Sequence, residues 1–243
     1  MQFTKTYTVR SSEIDYKYRL KPFYAISMFL DAFALYCDDN GVAAYHLHEI
    51  GKSWVMTELK VLFAKDMPVW KDELSMKVWV RKVLGVRVIG DFFLYDKKGD
   101  VVCRGTSRWL ILDIESRTPD TADCVRNVFD ICKEEAIPGF RFGAIEPFFG
   151  KQFIDKQLVR SFDIDFNKHL NSVRYIAGAI ESIPLELREN THLKEIYINY
   201  IKEAFLGETI TSIATGEHQN FYHQQFRDSE PHEICKMHSQ WFD

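Results

Sequence analysis

Hydrophobic and polar positions alternate along most of the chain with the period of β-strands, and this pattern gives way twice to the longer period of an amphipathic helix. The first helix begins near Pro22, and its apolar positions are Phe23, Ile26, Phe29, Leu30, Phe33 and Tyr36. The second helix ends before Pro184, and its apolar positions are Val173, Ile176, Ile180 and Ile183. We interpret both stripes as faces that pack into a core.

One predicted strand precedes each helix and four follow it. The preceding strands are predicted at about 2–11 and 152–161. After the first helix the strands are predicted at about 53–65, 73–83, 86–96 and 101–113, with a hairpin at 97–100. After the second they are predicted at about 194–203, 208–216, 217–227 and 232–242, with a turn at 228–231.

The two halves of the chain repeat the same short sequences in the same order. Residues 9–16 (VRSSEIDY) return as 159–166 (VRSFDIDF). Residues 102–104 with Ser107 and Trp109 return as 234–236 with Ser239 and Trp241. A weaker match pairs 65–66 with 202–203. This order indicates that one supersecondary unit was duplicated.

Each copy predicts an antiparallel sheet that buries one face on its helix, which is an α+β arrangement. Pairing the two sheets side by side would cover an exposed sheet edge in each copy. Segment 114–151 joins the copies and predicts a helix over about 121–136, followed by a stretch rich in proline and glycine. We therefore predict an N-terminal domain over 1–136, which includes this linker helix, and a C-terminal domain over 137–243.

Composition and charge exclude several classes of function. The chain has 243 residues, of which 46% are hydrophobic and 27% charged, and its net charge is −4, which argues against nucleic-acid binding. We expect no nucleotide cofactor, because no phosphate-binding glycine motif occurs. No apolar stretch is long enough to predict a membrane span or a signal peptide. Five cysteines without a CxxC pair favour a reducing compartment, so we expect a cytoplasmic protein.

A group of histidines near the C-terminus raises the question of a metal site. It comprises His218, His223, His232 and His238, together with Cys235. Their spacing matches no common zinc motif, and paired strands could scatter them over two faces of a sheet. We therefore expect no bound metal.

The loop before the second helix carries the candidate chemistry. Asp165, Asn167 and His169 alternate along it, so an extended loop would place all three side chains on one side. A carboxylate, an amide and an imidazole could supply the base and the oxyanion donors that acyl transfer requires. In the alternative interpretation, Asp165 and Asn167 only satisfy backbone groups before a helix.

Residues 165–176 (DFNKHLNSVRYI), followed by 181–184 (ESIP), resemble the signature of the acyl-acyl carrier protein thioesterases of plants and bacteria. Weaker similarities occur at 9–14, 54–57, 68–70, 107–109 and 200–203. The resemblance implies a tandem hot-dog fold, with two antiparallel sheets that each wrap around a long helix and pair side by side. It also implies hydrolysis of fatty acyl-acyl carrier protein, which releases a free fatty acid and ends chain elongation.

By this resemblance the catalytic residues are Asp165, Asn167, His169 and Glu203. Without it, Glu203 would be interpreted as a solvated residue at the end of a strand. Plant members often carry a cysteine at the next position, where this chain has Ala204. A cysteine nucleophile is therefore excluded at this position, which leaves direct attack by water or by a carboxylate.

The implied partner is an acidic acyl carrier protein, which would dock on basic residues. The candidates are Arg81, Lys82, Arg87, Arg104, Arg108 and Arg174. Three alternatives stay open: an acyl-coenzyme A thioesterase, a hot-dog hydratase and a non-enzymatic acyl-binding module. The acyl chain length and the quaternary state also stay open, and a homodimer is one candidate.

Overall fold

Both halves of the chain contain one strand, a helix and four further strands, in the order that the repeat predicts. The structure, a computed structural model, describes residues 2–217, 219–230 and 232–242. Its contacts divide the chain into two units, Met1–Arg141 and Phe142–Asp243. The domain boundary after residue 136 stays a prediction.

Unit 1 is an antiparallel sheet with one long helix. Its strands are β1 Phe3–Thr8, β2 Lys52–Phe63, β3 Glu73–Leu84, β4 Arg87–Asp96, β5 Val101–Asp113 and the short β6 Pro119–Asp120. Its helices are α1 Pro22–Asp39 and α2 Ala44–Glu49. The strands lie in the order β1-β3-β4-β5-β2, and β6 pairs with β5. The predicted strands and the predicted 97–100 hairpin are confirmed to within a few residues.

Aromatic side chains fill the core between α1 and the sheet of unit 1. The ring of Phe29 stacks on that of Phe92 with centroids 4.1 Å apart, and Phe33 stacks on Trp109 at 4.9 Å. A Cβ atom at Gly105 would lie 2.4 Å from the Phe92 ring, so the close approach of this ring requires glycine. Burial of each such ring contributes about 1.5–3 kcal/mol. The apolar stripe that predicts α1 is therefore a core face, as expected.

Unit 2 repeats the arrangement with a shorter helix. Its strands are β7 Lys151–Leu158, β8 His192–Tyr200, β9 Thr209–Glu217, β10 Asn220–Arg227 and β11 Glu233–Phe242. Its helices are α3 Ser172–Glu181 and α4 Leu185–Arg188. The strands lie in the order β8-β11-β10-β9-β7. Pro231, in the predicted 228–231 turn, lies outside the described residues.

The repeated serine and tryptophan have the same role in both units. The Trp109 Nε1–H donates to Ser107 Oγ at 2.8 Å, and the Trp241 Nε1–H donates to Ser239 Oγ at 3.1 Å. Each pair lies on the last long strand of its unit, β5 or β11. The equivalence of these bonds supports the interpretation that the two units arose by duplication.

The core beneath α3 contains buried polar side chains. His223 on β10 is buried, and its Nε2 lies 2.8 Å from Ser239 Oγ. Burial lowers the pKa of this imidazole to about 3, so the ring is neutral. Gln225 on the same strand is also buried and donates to the Tyr175 carbonyl and to Ser212 Oγ, both at 3.0 Å.

The predicted linker helix over 121–136 is wrong. Only Ala122–Val125 forms a single 3-10 turn, and the residues that follow take no regular helical structure. Their backbone donors bond to the sheet instead: the Cys132 N–H donates to the Val80 carbonyl, and the Ala136 N–H donates to the buried carboxylate of Asp91. These tertiary bonds replace the local hydrogen bonds of a helix. The β-branched and aromatic residues of this segment have only a weak preference for helix.

Candidate active site

The loop that carries the candidate residues is a closed turn. Ile164 and Leu170 form an isolated antiparallel bridge, and the Asp165 N–H donates to the His169 carbonyl at 2.8 Å. Lys168 has a φ of 65°, which lies in the left-handed region. The loop is therefore not extended, so the condition for Asp165, Asn167 and His169 to share one side is not met.

The Asp165 carboxylate explains why this loop turns. Its Oδ1 accepts the backbone N–H of Asn167 at 2.8 Å and that of His169 at 3.3 Å. An aspartate that binds the backbone of the residues after it stabilises a turn and competes with extended structure. The alternation of side chains along a strand therefore does not apply here.

The start of helix α3 is capped by another residue of the same motif. The side chain of Asn171 accepts the Val173 N–H at 3.0 Å, while the Asn171 N–H donates to the Asp163 carbonyl at 2.8 Å. Asp165 thus satisfies backbone groups, as the alternative interpretation expected, but it does so within the loop and does not cap the helix. Asn167 is positioned through its backbone N–H.

The structure brings His169 and Glu203 together. His169 Nδ1 lies 3.2 Å from Glu203 Oε1, and the two side chains are 22% and 30% exposed. The hydrogen bond from the Leu170 N–H to the Ala204 carbonyl, 2.8 Å long, joins the loop to the segment that follows β8. A carboxylate that accepts the Nδ1–H of a neutral imidazole leaves Nε2 unprotonated and able to accept a proton.

An aromatic residue that the sequence did not single out packs against the imidazole. The Phe205 ring meets the His169 ring edge-on, with centroids 5.3 Å apart. The guanidinium of Arg227 lies 6.0 Å from the centroid of the same Phe205 ring. Phe205 therefore limits the rotation of the imidazole. Its only sequence signal is its place two residues after Glu203.

Unit 1 contains the same loop with other side chains. The Asp15 carboxylate accepts the N–H of Lys17 at 2.8 Å and that of Arg19 at 2.9 Å. Arg19 stands where unit 2 has His169, and its guanidinium pairs with Asp15 at 2.9 Å. The backbone of this turn is therefore set by the aspartate in both copies, while the imidazole occurs in only one.

The segment that carries Glu203 in unit 2 is one residue longer in unit 1. Counted from the strands, Ala64 aligns with Ile201, because their N–H groups donate to the equivalent carbonyls of Val102 and Ile234. The predicted match of 65–66 with 202–203 therefore fits the strand register. The Leu20 N–H donates to the Pro68 carbonyl at 2.7 Å, the counterpart of the bond from Leu170 to Ala204, so the extra residue of unit 1 lies between Asp66 and Pro68.

The thiols of the chain offer no nucleophile at this loop. Ala204 is buried beside Glu203. Cys235 on β11 is the cysteine of unit 2, and burial raises the pKa of its thiol, which keeps it protonated. Burial therefore disfavours the thiolate form of the cysteine that unit 2 carries.

The histidines near the C-terminus do not form a metal cluster in the part of the chain that the structure describes. His223 contacts Ser239, and His238 Nδ1 lies 3.7 Å from Glu195 Oε1. His218 lies outside the described residues. Across residues 2–217, 219–230 and 232–242, no group of three or more His, Cys, Asp or Glu side chains is placed to hold a metal ion. Within the same ranges, no helix is both long and apolar enough to cross a bilayer.

Comparison with known families matches both halves of the chain. Residues 1–126 match the acyl-ACP thioesterase N-terminal domain, and residues 149–243 match the acyl-ACP thioesterase C-terminal domain. Among curated proteins, the chloroplastic oleoyl-acyl carrier protein thioesterase 2 of Arabidopsis thaliana is 27% identical over 184 residues, which cover 69% of this chain and 48% of the relative. The chain therefore spans about half the length of the curated relatives it matches.

Two solved structures share the architecture over nearly the whole chain. An acyl-ACP thioesterase from Bacteroides thetaiotaomicron has a TM-score of 0.88 at 20% identity and covers 99% of this chain and 97% of its own. The 12:0-ACP thioesterase from Umbellularia californica has a TM-score of 0.85 at 19% identity, with coverage of 99% and 96%. At these identities the likeness concerns the fold, and it confirms the predicted α+β hot-dog architecture.

Proposed function

Because the chain belongs to the acyl-ACP thioesterase family, we propose that it hydrolyses the thioester of fatty acyl-acyl carrier protein and releases a free fatty acid. The observation that carries this proposal is the contact of 3.2 Å between His169 Nδ1 and Glu203 Oε1 on a loop that also holds Asp165 and Asn167. An imidazole paired with a carboxylate is a base suited to activating water.

In the proposed reaction, water is the nucleophile and His169 removes its proton. The Glu203 carboxylate accepts the Nδ1–H of the imidazole, fixes its orientation and stabilises the positive charge that develops when Nε2 takes the proton. The water oxygen bonds to the thioester carbon, and the tetrahedral intermediate then collapses. The carbon–sulfur bond breaks, His169 returns the proton to the leaving thiolate, and the products are a carboxylic acid and the thiol of the carrier.

Asn167 and Asp165 have supporting roles in this proposal. The Asn167 side-chain amide can donate to the carbonyl oxygen as it becomes negative, which is the usual means of stabilising a tetrahedral intermediate. Asp165 orients both Asn167 and His169 through their backbone N–H groups, at 2.8 and 3.3 Å. Its carboxylate is thereby occupied by the turn, which makes it a weaker candidate than Glu203 for direct attack on the thioester.

An acyl carrier protein would dock on basic side chains outside this loop. Of the six candidates, Arg81 pairs with Asp91 and Glu135, and Arg108 pairs with Glu58. These two arginines are 17% and 23% exposed, so little of their charge faces solvent. The docking candidates that we retain are Lys82, Arg87, Arg104 and Arg174. Arg174 also pairs with Asp163 at 3.2 Å, but its side chain is 43% exposed.

The competing activities make different products. A coenzyme A thioesterase would release thiol from acyl-coenzyme A in preference to the carrier-protein thioester. A hot-dog hydratase would add water to an enoyl thioester and leave the carbon–sulfur bond intact. A binding module would retain acyl chains without turnover.

The test is a panel of acyl carrier protein and coenzyme A thioesters of graded chain length, followed with a thiol-trapping reagent. We expect thiol release from the carrier-protein series, with kcat/KM falling by at least about 100-fold in His169→Ala. Thiol release from the coenzyme A series alone would favour a coenzyme A thioesterase. Turnover of an enoyl thioester without thiol release would favour a hydratase, and retention of acyl chains without turnover would favour a binding module.

Four further parts of the proposal rest on the sequence. They are the domain boundary after residue 136, the side-by-side pairing of the two sheets, a cytoplasmic location and assembly as a homodimer. Analytical ultracentrifugation would test the last of these, because a monomeric mass at micromolar concentration contradicts it.

A further inference from the structure

The segment that carries Glu203 lies beyond the regular pairing of its sheet. Strand β8 ends at Tyr200, and the N–H groups of Ile201 and Lys202 both donate to the carbonyl of Ile234, at 2.9 and 3.1 Å. Two successive donors on one acceptor mark the point where the ladder breaks. The backbone of Glu203 therefore needs other contacts to hold it against His169.

Hydrogen bonds from outside the sheet hold the carbonyl groups on both sides of Glu203. The Leu170 N–H donates to the Ala204 carbonyl at 2.8 Å. On the other side, the Tyr175 hydroxyl donates to the Lys202 carbonyl at 3.3 Å. Leu170 follows His169 in the loop, and Tyr175 lies in the helix α3 that begins after this loop. Two hydrogen bonds therefore join the segment that carries His169 to the segment that carries Glu203.

Tyr175 is itself fixed in place. Its side chain projects from α3, is 4% exposed and packs edge-on against the Tyr200 ring with centroids 5.6 Å apart. Burial raises the pKa of its hydroxyl, the negative charge of Glu203 adds to this rise, and the backbone N–H of Ala204 opposes it. The phenol oxygen therefore lies beside the peptide groups that flank Glu203, and its hydrogen bond to the Lys202 carbonyl is 3.3 Å long.

Unit 1 lacks the equivalent hydroxyl. At the spacing of the repeat, Ala25 aligns with Tyr175, and alanine cannot donate a hydrogen bond from its side chain. The closed loop of unit 1 therefore forms without this hydroxyl, so the hydroxyl is not needed for the loop itself.

We propose that Tyr175 is a positioning residue that holds the Glu203 backbone so that its carboxylate stays in contact with His169. This inference rests on the proposed function for its kinetic consequence but not for its geometry. Tyr175 acts through Glu203 and does not touch the substrate. Its hydroxyl should therefore affect the rate of the chemical step and leave substrate binding nearly unchanged.

The test compares Tyr175→Phe with the matched control Tyr200→Phe. Tyr200 is the other member of the ring pair, and its hydroxyl donates to the Ser172 carbonyl at 3.1 Å, away from Glu203. We expect Tyr175→Phe to lower kcat by about 10-fold to 100-fold, with KM changed by less than about twofold, because small displacements of a catalytic group are costly. Tyr200→Phe should stay within about threefold of wild type.

A double-mutant cycle shows whether Tyr175 acts through Glu203. In a Glu203→Gln background, Tyr175→Phe should change kcat by less than about twofold, because its target is already lost. A similar rate for the two phenylalanine variants, or the full loss again in the Glu203→Gln background, would overturn the inference.

Crystal structures of the variants test the geometry without any activity. We expect the contact between His169 Nδ1 and Glu203 Oε1 to open in Tyr175→Phe and to remain in Tyr200→Phe; an unchanged contact in both contradicts the inference. If the wild-type chain releases no thiol, the proposed function fails, and these structures still decide the role of Tyr175.

Discussion

Replacing Glu203 with glutamine tests the candidate site with little change of shape. In the wild-type chain His169 Nδ1 lies 3.2 Å from Glu203 Oε1. The substitution keeps the size of the side chain and its ability to accept the Nδ1–H, but it removes the negative charge. Hydrogen bonds to a charged acceptor are roughly twice as strong as neutral ones. The variant therefore weakens the orientation of the imidazole and removes the charge that balances its protonation.

The effect of Glu203→Gln on stability should be small. The two side chains are 22% and 30% exposed, so solvent screens their attraction, and pairs of this kind contribute about 1 kcal/mol or less to folding. For a chain of this length, a loss of about 1 kcal/mol lowers the melting temperature by roughly 2–4 °C. The folded population at 25 °C should be unchanged.

The effect on the rate should be much larger. A positioned general base contributes about 10²-fold to 10⁴-fold to a reaction of this class. We expect kcat/KM to fall by about 10²-fold to 10³-fold, which corresponds to about 3–4 kcal/mol of activation free energy. The rise in activation free energy therefore exceeds the loss of folding free energy several-fold, which separates a catalytic role from a structural one.

The chain offers a matched control in a second histidine–glutamate pair. His238 Nδ1 lies 3.7 Å from Glu195 Oε1, and these side chains are 22% and 19% exposed, close to the values of the candidate pair. We expect Glu195→Gln to keep thiol release within about threefold of wild type. If Glu203→Gln retains a third or more of wild-type kcat/KM, or Glu195→Gln loses as much, Glu203 has no special role in the reaction.

Three further substitutions and one control test the loop, the polar core and the linker. Asp165→Ala removes the acceptor of two backbone N–H groups, so it should lower the free energy of unfolding by about 2 kcal/mol and the activity by at least about tenfold. The control Asp15→Ala should lower the free energy of unfolding in urea by a similar amount and leave the activity within about threefold of wild type. His223→Gln should reduce the loss of stability on acidification. In the folded state the pKa of the His223 imidazole is lowered to about 3 from 6.5, so only the unfolded state binds a proton at this imidazole as the pH falls below 6.5. Between pH 6 and pH 4, wild type should therefore lose up to about 1.4 kcal/mol per pH unit more than the variant in urea titrations, and parallel pH curves would contradict this. Asp91→Ala should lower the free energy of unfolding by about 3–5 kcal/mol, because it removes the buried one of the two carboxylates that pair with Arg81 and also the acceptor of the Ala136 N–H. An unchanged urea midpoint would contradict this.

The strand pattern could be predicted because it depends on local alternation and on the repeat. In unit 2, the predicted segment 194–203 corresponds to β8 His192–Tyr200, and 208–216 corresponds to β9 Thr209–Glu217. Each element was seen twice in the sequence, so a boundary that was weak in one copy was supported by the other. The core face of α1 followed from the same reasoning, since large apolar residues recur at helical spacing.

The linker could not be predicted, because distant contacts decide its structure. Its apolar residues suggest a helical face, but Val125 and Phe129 are buried within unit 1 without forming a helix. The side chain of Asp91, far away in the sequence, accepts the Ala136 N–H at 3.0 Å. No periodic pattern within 121–136 contains this information.

The catalytic candidates were predicted in part for a reason that the structure corrects. Asp165 was expected to share a side with its neighbours on an extended loop, whereas it folds the loop into a turn through the N–H groups of Asn167 and His169. The identity of Glu203 came from resemblance alone. Its approach to His169 depends on the bond between Leu170 and Ala204, which joins segments that the sequence separates widely.

The comparison of the two units separates the scaffold of the site from its chemistry. Asp15 and Asp165 fold the same turn, and Tyr18 and Lys168 adopt nearly the same left-handed conformation, with φ of 63° and 65°. The turn therefore forms whether or not an imidazole is present. In unit 1 the position of His169 is filled by an arginine that pairs with its own aspartate, so the charge is neutralised inside the loop. In unit 2 the imidazole instead lies 3.2 Å from Glu203, so the base that we propose is built on a turn that both copies possess.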